Sequence, residues 1–105
     1  TSGLVRVVGT VTLTTDIPGA YALEQNFPNP FNPTTTISFQ LPAASKVSLK
    51  IYDLLGREIQ TLVNGEMNPG THQVSFEAST LASGIYFYRL NAGMYTATRK
   101  LVLLK

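Results

Sequence analysis

Apolar and polar residues alternate one by one along most of this chain, and no stretch carries a helical period. Residues 34–41 put Ile37, Phe39 and Leu41 on one face. Residues 46–53 put Val47, Leu49 and Ile51 on one face and Ser48, Lys50 and Tyr52 on the other. A tight hairpin at 53–56 follows, with Gly56 free to take a positive φ, and residues 57–63 return from it. Residues 71–77 turn Val74 and Phe76 inward. Residues 85–91 and 94–104 form a closing pair joined at Ala92-Gly93. Turn signals fall between these runs: residues 42–45, Asn64-Gly65 and Asn68-Pro69-Gly70 bracketing a polar loop, and residues 81–84. Residues 23–26 read as one more short strand. The pattern predicts an all-β protein, an antiparallel immunoglobulin-like β-sandwich of about seven strands over about 85 residues.

The β-rich stretch at 4–14 is interrupted by Gly9, and D-I-P-G-A at 16–20 reads as a turn or linker. Residues 4–14 are either a strand of this domain or the tail of a preceding one, and the second is favoured. Residues 1–20 are therefore expected to be linker or the tail of an upstream domain, with residues 21–105 as the folded unit. The run L-E-Q-N-F-P-N-P-F-N-P at 23–33 is held extended by its prolines, which also remove ladder donors. It is expected to form a rigid corner with Phe27 and Phe31 packed beneath it. Leu81, Gly84 and Tyr86 carry the spacing of a tyrosine corner, in which the Tyr86 hydroxyl would bond backbone a few residues upstream.

At 105 residues the chain is one domain, and its 44% apolar content is enough for a core. Charged residues make up only 13%, against roughly 25% in typical soluble domains. Low charge with much Thr, Ser, Asn and Gly is common among extracellular β-proteins. The chain has no cysteine, which excludes disulfides and thiolate chemistry. The net charge of +2 does not point to nucleic acid, but it is unevenly placed. All six acidic residues precede position 78, where four basic residues accompany them and leave −2. Arg89, Arg99, Lys100 and Lys105 give residues 78–105 a charge of +4. Basic residues on an edge strand block edge-to-edge pairing, and they also suit an acidic partner. No apolar run approaches the roughly 18 residues of a membrane helix, so membrane insertion is not expected.

No catalytic or metal-binding constellation is visible. His72 is the sole histidine, and the aspartates form no calcium-loop pattern. No serine sits in a G-x-S-x-G elbow, and no glycine loop suited to phosphate occurs. Glu58, Glu66 and Glu77 lie in separate segments and read as solvated carboxylates. Tyr52, Tyr86, Tyr88 and Tyr95 are the residues a sugar-stacking strip would use, although strand tyrosines more often pack. The expectation is a non-catalytic domain without cofactor, metal or nucleic-acid partner.

Several pieces together carry a resemblance. They are L-E-Q-N-F-P-N-P-F-N-P-T-T-T-I-S-F-Q-L-P at 23–42, V-S-L-K-I-Y-D-L-L-G-R-E at 47–58, and G-T-H-Q-V-S-F at 70–76. L-A-S-G-I-Y-F-Y-R-L at 81–90 and T-R-K-L-V-L-L-K at 98–105 complete the set. From residue 21 to 105 the chain resembles a C-terminal sorting domain of the type IX secretion system, type A, a group related to the immunoglobulin-like domain of the flagellar hook-cap protein. The resemblance implies a non-catalytic signal appended to secreted or surface proteins of Gram-negative bacteria. Its cargo would lie on the N-terminal side and pass through the periplasm to the outer-membrane translocon. In many members a surface sortase then removes the domain. The implied recognition residues are Gly84, Tyr86, Arg99, Lys100, Leu101, Leu103 and Lys105. The structural motif comprises Pro28, Asn29, Pro30, Phe31, Asn32, Pro33 and Gly56. A receptor is expected to add a strand to an exposed edge at 94–105, with Lys100 and Lys105 meeting acidic groups. The competing readings are an immunoglobulin-like spacer or carbohydrate-binding module of an extracellular enzyme, and an adhesive or assembly domain that self-associates.

Overall fold

The structure, a computed structural model, describes residues 19–105. The expected β-rich stretch at 4–14 lies outside the described residues. Seven strands follow in chain order: β1 (Ala22–Leu23), β2 (Thr34–Leu41), β3 (Ser45–Tyr52), β4 (Glu58–Met67), β5 (Gly70–Glu77), β6 (Gly84–Ala92) and β7 (Tyr95–Leu103). They form two antiparallel sheets, one in the order β1-β2-β5 and the other in the order β4-β3-β6-β7. The connections β2–β3, β4–β5 and β5–β6 cross between sheets. The expected immunoglobulin-like sandwich is the fold found.

The core comes from the inward half of each alternating strand. Ile37, Phe39 and Leu41 of β2 meet Val47, Leu49 and Ile51 of β3. Phe76 of β5, Tyr88 and Leu90 of β6, and Leu101 and Leu103 of β7 complete it, with Leu23 and Phe31 closing the side. The Phe31 and Phe76 rings lie 6.0 Å apart in a tilted contact.

Two expectations need correction. The sequence placed a loop from Asn64-Gly65 onward, but β4 runs through that dipeptide to Met67. Asn64 and Gly65 pair with Ser48 and Val47, so β3 supplies the ladder that turn propensity argued against. The ladder also shifts register twice, leaving Leu62 and Ile59 as extra residues on β4. Phe27 was expected beneath the proline corner and is instead 80% exposed. Phe31 alone packs there, at 2% exposure. The cause is the Phe27–Thr36 bridge, which fixes the Phe27 backbone and leaves its ring outside.

The two ends of the sandwich differ. At one end Tyr21 stacks on Tyr95 with ring centroids 5.3 Å apart and shares a hydrogen bond with Ser45 at 3.0 Å. At the other end lie the start of β2 beside the end of β5, and the start of β6 beside the end of β7. There Pro33 accepts a bond from Ala78 at 2.9 Å, and Phe31 bridges to Leu103.

Candidate functional site

Of the sequence pieces that carried the resemblance, the one at 70–76 starts at the Tyr21 end, where Gly70 pairs with Leu41, whereas parts of the others meet at the end of the sandwich away from Tyr21. The 26–33 loop, the 53–57 turn, the start of β6 and the end of β7 all lie there, although they span most of the described chain. Each is held by a defined local arrangement.

Asn26 anchors the first loop. It is 2% exposed, and its side chain donates to the carbonyl of Pro28 at 3.1 Å and to the Thr35 hydroxyl at 2.9 Å. Thr35 donates in turn to the Pro28 carbonyl at 2.8 Å. The Asn26 N–H donates to the Tyr88 hydroxyl at 2.8 Å, and that hydroxyl donates to the Glu24 carbonyl at 2.7 Å. Burial pushes the Tyr88 hydroxyl up to about 12. Sequence reading missed Asn26 and Thr35. One signal was available: Thr35 shares the inward parity of Ile37 and Phe39, and a buried hydroxyl requires a partner.

The loop also covers the terminal strand. The Phe31 N–H donates to the carbonyl of Val102 at 3.0 Å, and the Leu104 N–H donates to the Phe31 carbonyl at 3.0 Å. The Val102 N–H donates to the side-chain oxygen of Asn29 at 3.0 Å. The Lys100 carbonyl accepts from the Gln25 side chain at 2.8 Å. The expected open edge over 94–105 is therefore closed from Lys100 to Leu104. Among the described residues β7 is the edge strand of its sheet, paired along its length with β6 as its only partner strand. Sequence alone cannot show this closure, because it joins positions more than 70 residues apart.

The expected recognition residues fall into separate environments. Leu101 and Leu103 are 0% and 1% exposed, so they build core rather than surface. The Arg99 side chain donates to the Leu23 carbonyl at 2.6 Å, tying β7 to the other sheet. Lys100 is exposed on the outer face of the four-stranded sheet, opposite Phe87. Lys105 donates through its Nζ to the Ser79 carbonyl at 2.7 Å and through its N–H to Ser83 Oγ at 3.0 Å. The Tyr86 hydroxyl donates to the Ala82 carbonyl at 2.7 Å, which is the tyrosine corner expected from spacing. Gly84 opens β6 at φ 153°, a backbone conformation that favours glycine.

The 53–57 turn is unusually well bonded. Asp53 Oδ1 accepts from the N–H groups of Leu55 and Arg57, both at 2.9 Å. Its Oδ2 lies 2.8 Å from Arg57 Nε. Asp53 and Arg57 also pair through their backbones at 3.0 Å, and Gly56 takes the expected positive φ of 82°. The Arg57 backbone N–H above all holds the Asp53 carboxyl below its ordinary value, and desolvation opposes this.

Residues of other candidate chemistries do not assemble. His72 bonds the Asn68 carbonyl at 2.8 Å and stacks against Phe39. Glu58 pairs with Lys50 at 3.2 Å, and Glu77 accepts from the Ser79 N–H at 2.9 Å. No group of three or more metal-ligating side chains occurs among the described residues. The four tyrosines form no strip: Tyr88 is core, Tyr86 is the corner, Tyr95 stacks on Tyr21, and Tyr52 lies on the outer sheet face beneath Arg89.

A model of the secretion-system C-terminal sorting domain matches residues 25–104. No curated protein matches the chain. Among solved structures the chain is similar to PorZ, described as an essential bacterial surface component of the type-IX secretion system of human oral-microbiomic Porphyromonas gingivalis. The identity is 20% and the TM-score 0.50, over 81% of this chain and 11% of that one. That likeness concerns the fold, and the chain spans only a small part of the PorZ length. The family match takes in the proline loop, the hydrogen-bonded turn, the tyrosine corner and the whole terminal strand, and this chain belongs to the family of secretion-system C-terminal sorting domains.

Proposed function

We propose that this domain is a non-catalytic, folded signal that sends an attached cargo through the type IX translocon to the cell surface or medium. The observation that carries the reading is convergence. Within the span that matches the family, the 26–33 loop, the 53–57 turn, the start of β6 and the end of β7 meet at one end of the sandwich, while Tyr21 is pinned at the other. Cargo joined ahead of residue 21 would thus leave the signal-bearing end free. The signal is conformational, because Leu101 and Leu103 serve the core and the backbone from Lys100 to Leu104 is already bonded. What remains legible from outside is the side-chain surface around that strand, including Lys100. The cargo reaches the translocon by way of the periplasm, after which it is either freed of the domain by a surface sortase and anchored, as in many members of the family, or released.

The test is export of a fluorescent reporter fused ahead of residues 20–105, with an inner-membrane export signal, in a bacterium that has a type IX system. The reporter should reach the surface or medium with the domain and stay in the periplasm without it. Lys100→Glu should retain it while the purified domain melts as before. Periplasmic retention of the unaltered fusion, with the domain folded, would refute the sorting role and favour a spacer or carbohydrate-binding module.

A further inference from the structure

Two shallow concavities at the signal-bearing end share Asp53 and Leu54. Tyr52, Phe87 and Arg89 line one, and Leu55, Ile85 and Tyr86 line the other. Leu54 and Leu55 are 65% and 78% exposed. Turn chemistry does not account for them, since such positions favour Asn, Asp, Ser or Gly. Core packing does not account for them either, because they lie outside it. Yet the turn that displays them is fixed by the Asp53 bonds to Leu55 and Arg57. A partner meeting these leucines has little ordering entropy to overcome.

The surroundings have the anatomy of a protein interface, an apolar centre with a polar rim. Tyr52 and Phe87 stand opposite each other on β3 and β6, and Ile85 continues the apolar surface at 37% exposure. Arg89 lies over the Tyr52 ring, 5.2 Å from its centroid, and Lys100 stands opposite Phe87 on β7. Neither cation is ion-paired among the described residues. The rim on this side therefore carries uncompensated positive charge.

We infer that Leu54 and Leu55 are the apolar anchors of a docking surface for a protein partner whose cleft receives them and whose carboxylates face Arg89 and Lys100. This rests on the sorting-domain reading and makes the partner the receptor of the translocation machinery.

The experiment uses the reporter fusion with Leu54→Ser/Leu55→Ser, with Arg89→Glu, and with Met94→Ser as a control. Met94 is fully exposed in the turn at the opposite end. The leucine pair and the Arg89 variant should each lower export about ten-fold or more, the scale of one lost hot spot. Met94→Ser should export as the unaltered domain does. A cargo-free copy of the unaltered domain in the same periplasm should depress reporter export by competition, and a copy with both serines should not. Undiminished export of both patch variants, with competition retained, would overturn the inference while leaving the sorting role intact. Failure of the unaltered fusion itself would remove the sorting role and this inference with it. Cosedimentation of the domain with phosphatidylglycerol vesicles, lost in Arg89→Glu, would replace the protein partner with an anionic lipid surface.

Discussion

The backbone N–H of Asn26 donates to the hydroxyl of Tyr88 at 2.8 Å, across 62 positions of sequence. Through this bond a core residue of β6 fixes the proline loop, and the loop in turn covers the edge of the terminal strand. Tyr88→Phe keeps the ring but leaves the Asn26 N–H and the Glu24 carbonyl without a partner. It should cost about 1–3 kcal/mol, the penalty for unsatisfied buried groups. Urea unfolding measures the loss. Hydrogen exchange at Asn26 should speed up more than exchange at the centre of β3.

The same hydroxyl makes stability fall at alkaline pH. Its folded pKa is raised to about 12, chiefly by desolvation, from an ordinary 10.0. Above pH 10 the unfolded chain loses this proton while the folded chain keeps it. The contribution is thus complete below pH 10 and disappears as pH climbs toward 12. The urea midpoint of the unaltered domain should drop more steeply over that window than the midpoint of Tyr88→Phe. Parallel slopes would contradict the assignment.

Asn29 offers a test of the covered edge. Asn29→Ala removes the acceptor of the Val102 N–H but no core atom. The expected loss is about 1 kcal/mol, with faster exchange at Val102 and little change at Leu103. Phe31→Ala removes both the covering segment's anchor and a fully packed ring, and should cost about 3–5 kcal/mol.

Acid acts on the 53–57 turn. The Arg57 N–H, ahead of the other hydrogen bonds, lowers the Asp53 pKa from 3.8. A depressed carboxylate contributes stability above its unfolded pKa and loses it as pH falls through the folded value. An NMR titration of the Asp53 carboxyl should place its midpoint below 3.8, and Arg57→Ala should raise that midpoint. Gly56→Ala, at a positive φ, should loosen the same turn by about 1 kcal/mol.

Alternation and turn chemistry determined the strands of this protein from sequence alone. Ile37, Phe39, Leu41, Val47, Leu49, Ile51 and Phe76 follow the parity of their strands into the core, because period two puts alternate side chains on one face whatever the partner strand. Gly56 and Tyr86 were legible for a similar reason: a positive φ and a hydroxyl bond four residues upstream are local requirements. What only the tertiary structure decided were pairings between distant segments. β3 drew Asn64-Gly65 into a strand against its turn propensity, and the bridge to Thr36 left Phe27 outside while Phe31 packed. Asn29, Phe31 and Gln25 closed an edge that the terminal strand, read by itself, presents as open. Backbone hydrogen bonds carry no side-chain signature, so which N–H meets which carbonyl is settled only when the two sheets bury their shared core and bring residues 25–31 against residues 100–104.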